Sequence, residues 1–78
     1  MTVAKFYQQS GNLQAAYLRA KDAVKMQPAD AETHFVLAGV LEKMRRREEA
    51  VAEFEAYLKL DPDGEHVKAA RKAIAAGK

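Results

Sequence analysis

Two short segments of this chain end alike, with an apolar residue, a polar residue, a proline and an acidic turn. They are MQPAD, which begins at Met26, and LDPDG, which begins at Leu60, so that Pro28 and Pro62 stand 34 positions apart. A proline has no amide hydrogen and its ring clashes with the preceding helical turn, so each one marks the end of a helix. The fixed spacing predicts two units of similar structure that end in the same way.

A shift of 34 residues also aligns the positions that precede the two prolines. The paired residues share size class or apolar character over most of the unit, as in Val3 with Leu37, Ala4 with Ala38, Tyr7 with Leu41, Ala16 with Ala50, Val24 with Leu58 and Met26 with Leu60. The chain therefore contains an internal repeat.

Apolar residues recur at three- and four-residue spacings, and no stretch alternates with a period of two. This pattern predicts an all-α fold with helices over 12–27, 31–44, 47–60 and 65–76. The last two turns of a further short helix are predicted at Val3–Tyr7, with a turn at Gly11, which makes five helical segments in all. Asp30 is predicted to cap the helix that begins at residue 31.

The repeat closely resembles the tetratricopeptide repeat, a helix-turn-helix unit of 34 residues. At the positions of the family pattern the complete copy has His34, Leu37, Ala38, Leu41, Ala50, Phe54, Leu60 and Pro62. The earlier copy matches it at Val3, Ala4, Tyr7, Gly11, Ala16, Ala20, Ala23, Met26 and Pro28. The resemblance implies antiparallel helix-turn-helix repeats stacked as a short right-handed α-solenoid. Residues 1–78 would form a single domain, with a truncated repeat over 1–28, a complete repeat over 29–62 and a capping helix over 63–78.

Three residues depart from the family pattern. His34 stands where the family usually has a tryptophan or another large apolar residue, Arg45 replaces the usual turn glycine, and Tyr57 replaces a small residue. A left-handed backbone at Arg45 would cost roughly 1 kcal/mol. Tyr57 is expected to seal the end of the stack, below a capping helix with a polar outer side. We also expect the chain to be a part of a longer repeat protein.

The composition argues against several partners. The net charge is +2, from 13 basic and 11 acidic residues interleaved along most of the chain, which predicts neither a nucleic-acid nor a membrane partner. There is no cysteine for a disulfide or a thiolate metal site. The sequence contains no signal peptide and no transmembrane segment, so composition assigns no localisation.

Candidate catalytic and metal sites are weak. Ser10 is the only serine, and the histidines His34 and His66 are 32 positions apart, so no nucleophile and base fall into a recognisable arrangement. DPDGEH, which begins at Asp61, has its glycine fourth and Lys72 at the twelfth position, whereas a calcium loop needs glycine sixth and glutamate twelfth. We interpret DPDGEH as a turn before a helix, and we predict no enzymatic activity and no cofactor.

The densest positive charge is KMRRR, which begins at Lys43. Glu48 and Glu49 follow immediately and can pair with these arginines, and no aromatic residue is interleaved to stack on bases. A solvated turn explains the cluster better than a phosphate-binding or acidic-peptide site does.

The resemblance implies a protein-binding module, because repeats of this family hold peptides or protein segments on the concave wall formed mostly by the first helix of each pair. Carried over position by position, the candidate groove residues are Lys5, Gln8, Gln9, Glu32, Phe35, Val36, Gly39, Glu42, Lys43, His66, Ala69, Ala70 and Ala73. Phe35, Val36 and Gly39 occupy positions where some members carry polar residues that grip a terminal carboxylate, so we expect an apolar helix or extended segment as the ligand.

The alternative function is self-assembly, in which the partner is a second copy of the chain. The N-terminal edge would carry exposed apolar residues that a neighbour, or exchange of the short first helix between two copies, could cover. The candidate edge residues are Val3, Phe6, Leu13 and Tyr17.

Overall fold

Four helices follow one another along residues 2–77. The computed structural model describes the backbone of residues 2–77 and the side chains of residues 12–77. The helices are α1 (Thr2–Met26), α2 (Ala31–Lys43), α3 (Arg47–Leu60) and α4 (Val67–Gly77), and the described residues contain no strand. The predicted all-α repeat fold is confirmed. Both α2 and α3 lie within the range predicted for the complete repeat.

The core lies between α2 and α3. Each of these helices buries three side chains within two turns, and the two sets face each other across a short connection that returns the chain. They are Leu37, Ala38 and Leu41 on α2 and Ala50, Phe54 and Tyr57 on α3. The first helix, α1, packs against α2 and adds Ala20, while α4 packs against α3 and adds Ala70. The four helices thus stack in chain order.

The turn predicted at Gly11 is absent, so the prediction of five helical segments is wrong. Helix α1 continues through Gly11 as one helix of 25 residues. A glycine inside a helix costs only about 1 kcal/mol relative to alanine, and it keeps the amide that a proline lacks. Glycine therefore permits a turn here without imposing one.

A turn does form at Arg45, where the family usually has glycine. Arg45 has φ 65°, in the left-handed region, and its amide donates to the carbonyl of Glu42 at 3.0 Å. The next amide, that of Arg46, donates to the carbonyl of Leu41 at 2.9 Å. These two bonds satisfy the last carbonyls of α2 and form a Schellman motif. The expected strain is present, because a side chain at positive φ meets its own backbone.

The other two turns are held by side chains. Asp30 caps α2 as predicted, since its carboxylate accepts a hydrogen bond from the amide of Glu32 at 3.0 Å. Between α3 and α4, the hydroxyl of Tyr57 accepts a hydrogen bond from the amide of His66 at 2.9 Å, and the Tyr57 side chain is almost fully buried. A side chain at Gly64 would collide with this hydroxyl and with Asp61. Tyr57 therefore seals the α3–α4 end of the stack, as expected.

His34 links α2 to two other parts of the fold. Its Nδ1 lies 2.7 Å from a carboxylate oxygen of Glu53 on α3, and its Nε2 lies 2.7 Å from the carbonyl oxygen of Pro28. Both partners are acceptors, so the doubly protonated ring satisfies both. Burial alone would lower the pKa of His34. The hydrogen bonds to Glu53 and Pro28, with the negative charges of Glu53 and Asp30, outweigh burial and raise this pKa above its ordinary value.

Replacement of Arg45 by glycine is expected to raise the free energy of unfolding by about 1 kcal/mol, because glycine adopts φ 65° without steric cost. Denaturant titration of the wild type and of Arg45→Gly measures the change. Arg45→Ala is the matched control, since it removes the same long side chain but keeps the Cβ. Equal stability of the glycine and alanine variants would show that the left-handed backbone carries no strain.

The contact between His34 and Glu53 is expected to make stability depend on pH. Because the folded pKa is raised, the contribution of His34 is fully present below its unfolded pKa of about 6.5, and it is lost as the pH rises through the folded value. The free energy of unfolding should therefore fall as the pH is raised from about 5 to about 9, which is roughly the range in which histidine titrates. Glu53→Gln should flatten the fall, while His66→Gln should retain it. A fall that survives in Glu53→Gln would contradict the assignment.

Candidate functional site

An apolar groove lies between α2 and α4. Its cavity has a volume of about 340 Å³. Helix α2 supplies one wall, α4 supplies the other, and a ring from α3 lies between them. The lining residues are Phe35, Gly39, Glu42, Phe54, Ala69, Lys72, Ala73 and Ala76.

Five of the predicted groove residues line this cavity together: Phe35, Gly39, Glu42, Ala69 and Ala73. Three lining residues were missed by sequence reasoning. Ala76 and Lys72 continue the one-turn spacing of the α4 wall, so helical periodicity could have found them. Phe54 is buried in the core, and no sequence signal shows that its ring also reaches the groove.

The remaining predicted residues are distributed differently. Ala70 is fully buried and belongs to the core. Val36 and Lys43 are exposed on α2 but do not line the cavity. Glu32 and His66 lie next to Phe35, beyond one end of the groove. The side chains of Lys5, Gln8 and Gln9 lie outside the part of the chain whose side chains the structure describes.

Aromatic rings close that end of the groove. The ring of His66 stacks on Phe35, with centroids 4.1 Å apart and planes within 8° of parallel. Phe35 also contacts Phe54 edge-on at 5.8 Å and Tyr57 at 5.3 Å. Such contacts between aromatic rings add to the energy of apolar burial. Phe35 is consequently held in place by three neighbours from α3 and from the residues just before α4.

Charged groups surround the stacked histidine. His66 Nε2 lies 3.5 Å from a carboxylate oxygen of Glu32 on α2 and 3.8 Å from one of Glu65. These contacts join the first turn of α2 to the start of α4. The two walls of the groove are therefore connected at one end by both a ring stack and an ion pair when His66 is protonated.

Gly39 leaves the middle of the α2 wall open. It lies inside α2, and apart from its two chain neighbours and the surrounding backbone of α2, no heavy atom lies within 4 Å of the position that a Cβ would occupy there. An interior glycine weakens a helix by about 0.5–1 kcal/mol relative to alanine. Because no steric contact within the chain requires glycine here, its consequence is free space at the centre of the groove.

A second cavity of about 270 Å³ lies where α1, α2 and α3 meet, and two of its lining residues, Tyr17 and Lys21, come from α1. The ammonium of Lys21 donates a hydrogen bond to the Tyr17 hydroxyl at 3.1 Å, and the guanidinium of Arg46 lies 4.9 Å from the Tyr17 ring centre. The hydrogen bond from Lys21 lowers the pKa of Tyr17, while burial opposes it. Arg46 also forms an ion pair with Glu49, as expected for this basic turn.

Of the four candidate edge residues, two have described side chains. Leu13 and Tyr17 are each partly exposed, and Leu18 beside them is 53% exposed. The side chains of Val3 and Phe6 fall in the stretch that the structure leaves undescribed.

The described residues provide neither a metal-binding cluster nor a helix that could span a membrane. Among them, no group of three or more histidine, cysteine or acidic side chains is close enough to hold a metal ion. None of the helices they form has both the length and the apolar character needed to cross a membrane.

Comparison with known proteins identifies the repeat. The family model described as tetratricopeptide repeat matches residues 7–74, which span α2 and α3 completely and most of α1 and α4. Comparisons with curated proteins and with solved structures gave no significant match. Tetratricopeptide repeats are non-catalytic modules that generally mediate interactions between proteins. With the 34-residue register, the stacked helix pairs and this match in agreement, the chain belongs to the tetratricopeptide repeat family.

Proposed function

We propose that this chain binds a segment of another protein in the groove between α2 and α4. The observation that carries the proposal is the open apolar cavity of about 340 Å³ beside Phe35 and Gly39. Protein interfaces are centred on aromatic and aliphatic anchors that fill such pockets, surrounded by a polar rim. The proposed ligand therefore places one or two apolar side chains beside Phe35, above Gly39.

The surroundings of the cavity support this choice. Phe35 is fixed by its ring contacts before any ligand arrives, so little side-chain freedom is lost on binding. Glu42 and Lys72 are exposed and line the cavity as well, where they can form the polar rim. The basic turn is a poorer candidate, because Arg46 is already paired with Glu49 and packed over Tyr17.

Selection of a random peptide library on the immobilised chain tests the proposal. Selected peptides should carry apolar anchors, and Gly39→Leu should weaken their binding at least tenfold, which is about 1.4 kcal/mol, because the new side chain fills the groove. Ala75→Leu is the matched control: Ala75 is exposed on α4 and does not line the cavity. Fluorescence anisotropy measures both affinities, and circular dichroism checks that both variants fold.

Two results would contradict the groove. One is equal binding by Gly39→Leu and the wild type. The other is loss of binding in Arg46→Ala with normal binding in Gly39→Leu, which would move the site to the basic turn.

One observation favours self-assembly as a second candidate function. Residues 2–10 belong to the same uninterrupted helix as residues 12–26, through Gly11, where the repeat register places a turn. They therefore do not fold back along residues 12–26 of the same chain. A straightened hinge of this kind is the arrangement in which two copies exchange identical segments.

Exchange predicts that the thermal midpoint rises with protein concentration, because folding and association are then linked by mass action. Gly11→Ala should strengthen association, since alanine favours the continuous helix, and Gly11→Pro should weaken it, since proline breaks the helix. Light scattering and thermal unfolding over a hundredfold dilution series measure both effects. A constant midpoint and a monomeric mass in all three proteins would rule out assembly through α1.

A further inference from the structure

We infer that the occupant of the groove is an amphipathic helix of a partner protein, with an apolar stripe flanked by basic residues on one side and acidic residues on the other. This inference rests on the proposed function, because it names the class of ligand for the same groove. Two observations carry it: the spacing of the residues on the two walls, and the charges on their rims.

The spacing favours a helix over an extended segment. Lining residues repeat at positions i, i+4 and i+7 on both walls, as Phe35, Gly39 and Glu42 on α2 and as Ala69, Ala73 and Ala76 on α4. Both walls thus present a new niche about every 5.4 Å. A helical ligand offers side chains with the same period, whereas an extended segment repeats on one face about every 6.6–6.8 Å. Only a helical ligand therefore has side-chain spacing that matches the spacing of the lining residues on both walls.

Small residues let the ligand backbone approach closely. Apart from Phe35 and Phe54, the apolar lining consists of glycine and alanine, and the space above Gly39 is empty. A helix carrying leucine-sized anchors fits against such a surface as a ridge fits into a groove. The small lining supplies the depth, and the aromatic rings supply the contact area for the anchors.

The rim charges differ between the walls. The rim of α2 carries Glu42, and the rim of α4 carries Lys72. A ligand helix therefore gains most when its basic flank faces α2 and its acidic flank faces α4.

Three designed helical peptides of about 15 residues test the inference, a length at which an alanine-rich helix begins to be stable. All three carry two leucines one turn apart. One has lysines on one flank and glutamates on the other, one has lysines on both flanks, and one has glutamates on both flanks. The wild type should bind the mixed peptide at least about threefold more tightly than either of the others, which is the effect of one exposed ion pair.

Charge reversal in the chain should change this preference. Lys72→Glu makes both rims acidic and should prefer the peptide with lysines on both flanks, whereas Glu42→Lys should prefer the peptide with glutamates on both flanks. Lys25→Glu, at an exposed residue in the last turn of α1, changes the net charge as Lys72→Glu does and should keep the preference for the mixed peptide. A preference that follows net charge alone would overturn the inference.

A proline placed between the two leucines tests the helix itself, because it breaks a helix but permits an extended chain. We expect at least tenfold weaker binding of the proline peptide, and equal binding would overturn the inference. Binding is measured by anisotropy and located by NMR shifts at Gly39 and Ala73. If library-selected peptides bind the groove and the designed helices do not, the inference fails while the proposed function stands. If neither the selected peptides nor the designed helices bind, both the inference and the proposed function fail. NMR shifts at residues of α1 in place of Gly39 and Ala73 would then indicate that the chain binds a second copy of itself.

Discussion

The packing of α2 against α3 is the contact on which the rest of the structure depends. Two of its buried residues, Ala38 and Ala50, are small, and small side chains let the two helix axes approach closely. The larger residues, among them Leu37 and Phe54, then fill the space on either side. Both outer helices are placed by this pair, since α1 packs on α2 and α4 packs on α3. The groove forms where residues of α2 and α4 line one cavity, together with Phe54 of α3.

The two turns between the paired helices show what local sequence can and cannot determine. A turn was predicted at Gly11 and did not form, whereas a turn formed at Arg45 in spite of its side chain. The difference arises from tertiary packing. The opposing apolar faces of α2 and α3 contribute more stabilising free energy on burial than the roughly 1–2 kcal/mol of strain in a left-handed residue. Pro28 and Pro62, in contrast, marked helix ends correctly, since a missing amide acts in any context. The helix ends that proline imposes could therefore be predicted from the sequence, whereas a turn that glycine only allows could not.

The groove was predictable to a similar extent. The family resemblance placed Phe35, Gly39 and Ala73 on one surface, and all three line the same cavity. The ring stack of His66 on Phe35 was not predictable, because it depends on the path of the turn between α3 and α4. That path is set by the hydroxyl of Tyr57, one of the departures from the family pattern. His34, another departure, replaces an apolar contact with two hydrogen bonds. Both departures therefore introduce directional polar contacts within the complete repeat.

The chain-order stacking of the helices has a consequence for cooperativity. Extensive contacts run from α1 to α2, from α2 to α3 and from α3 to α4, as in a one-dimensional array. In such an array an end unit can detach while the centre stays folded, so protection from amide hydrogen exchange should decline outward from the α2–α3 pair. One wall of the groove is the terminal unit α4. Its docking and the occupation of the groove are therefore thermodynamically linked, and a ligand that spans both walls extends the cooperative unit to the end of the chain.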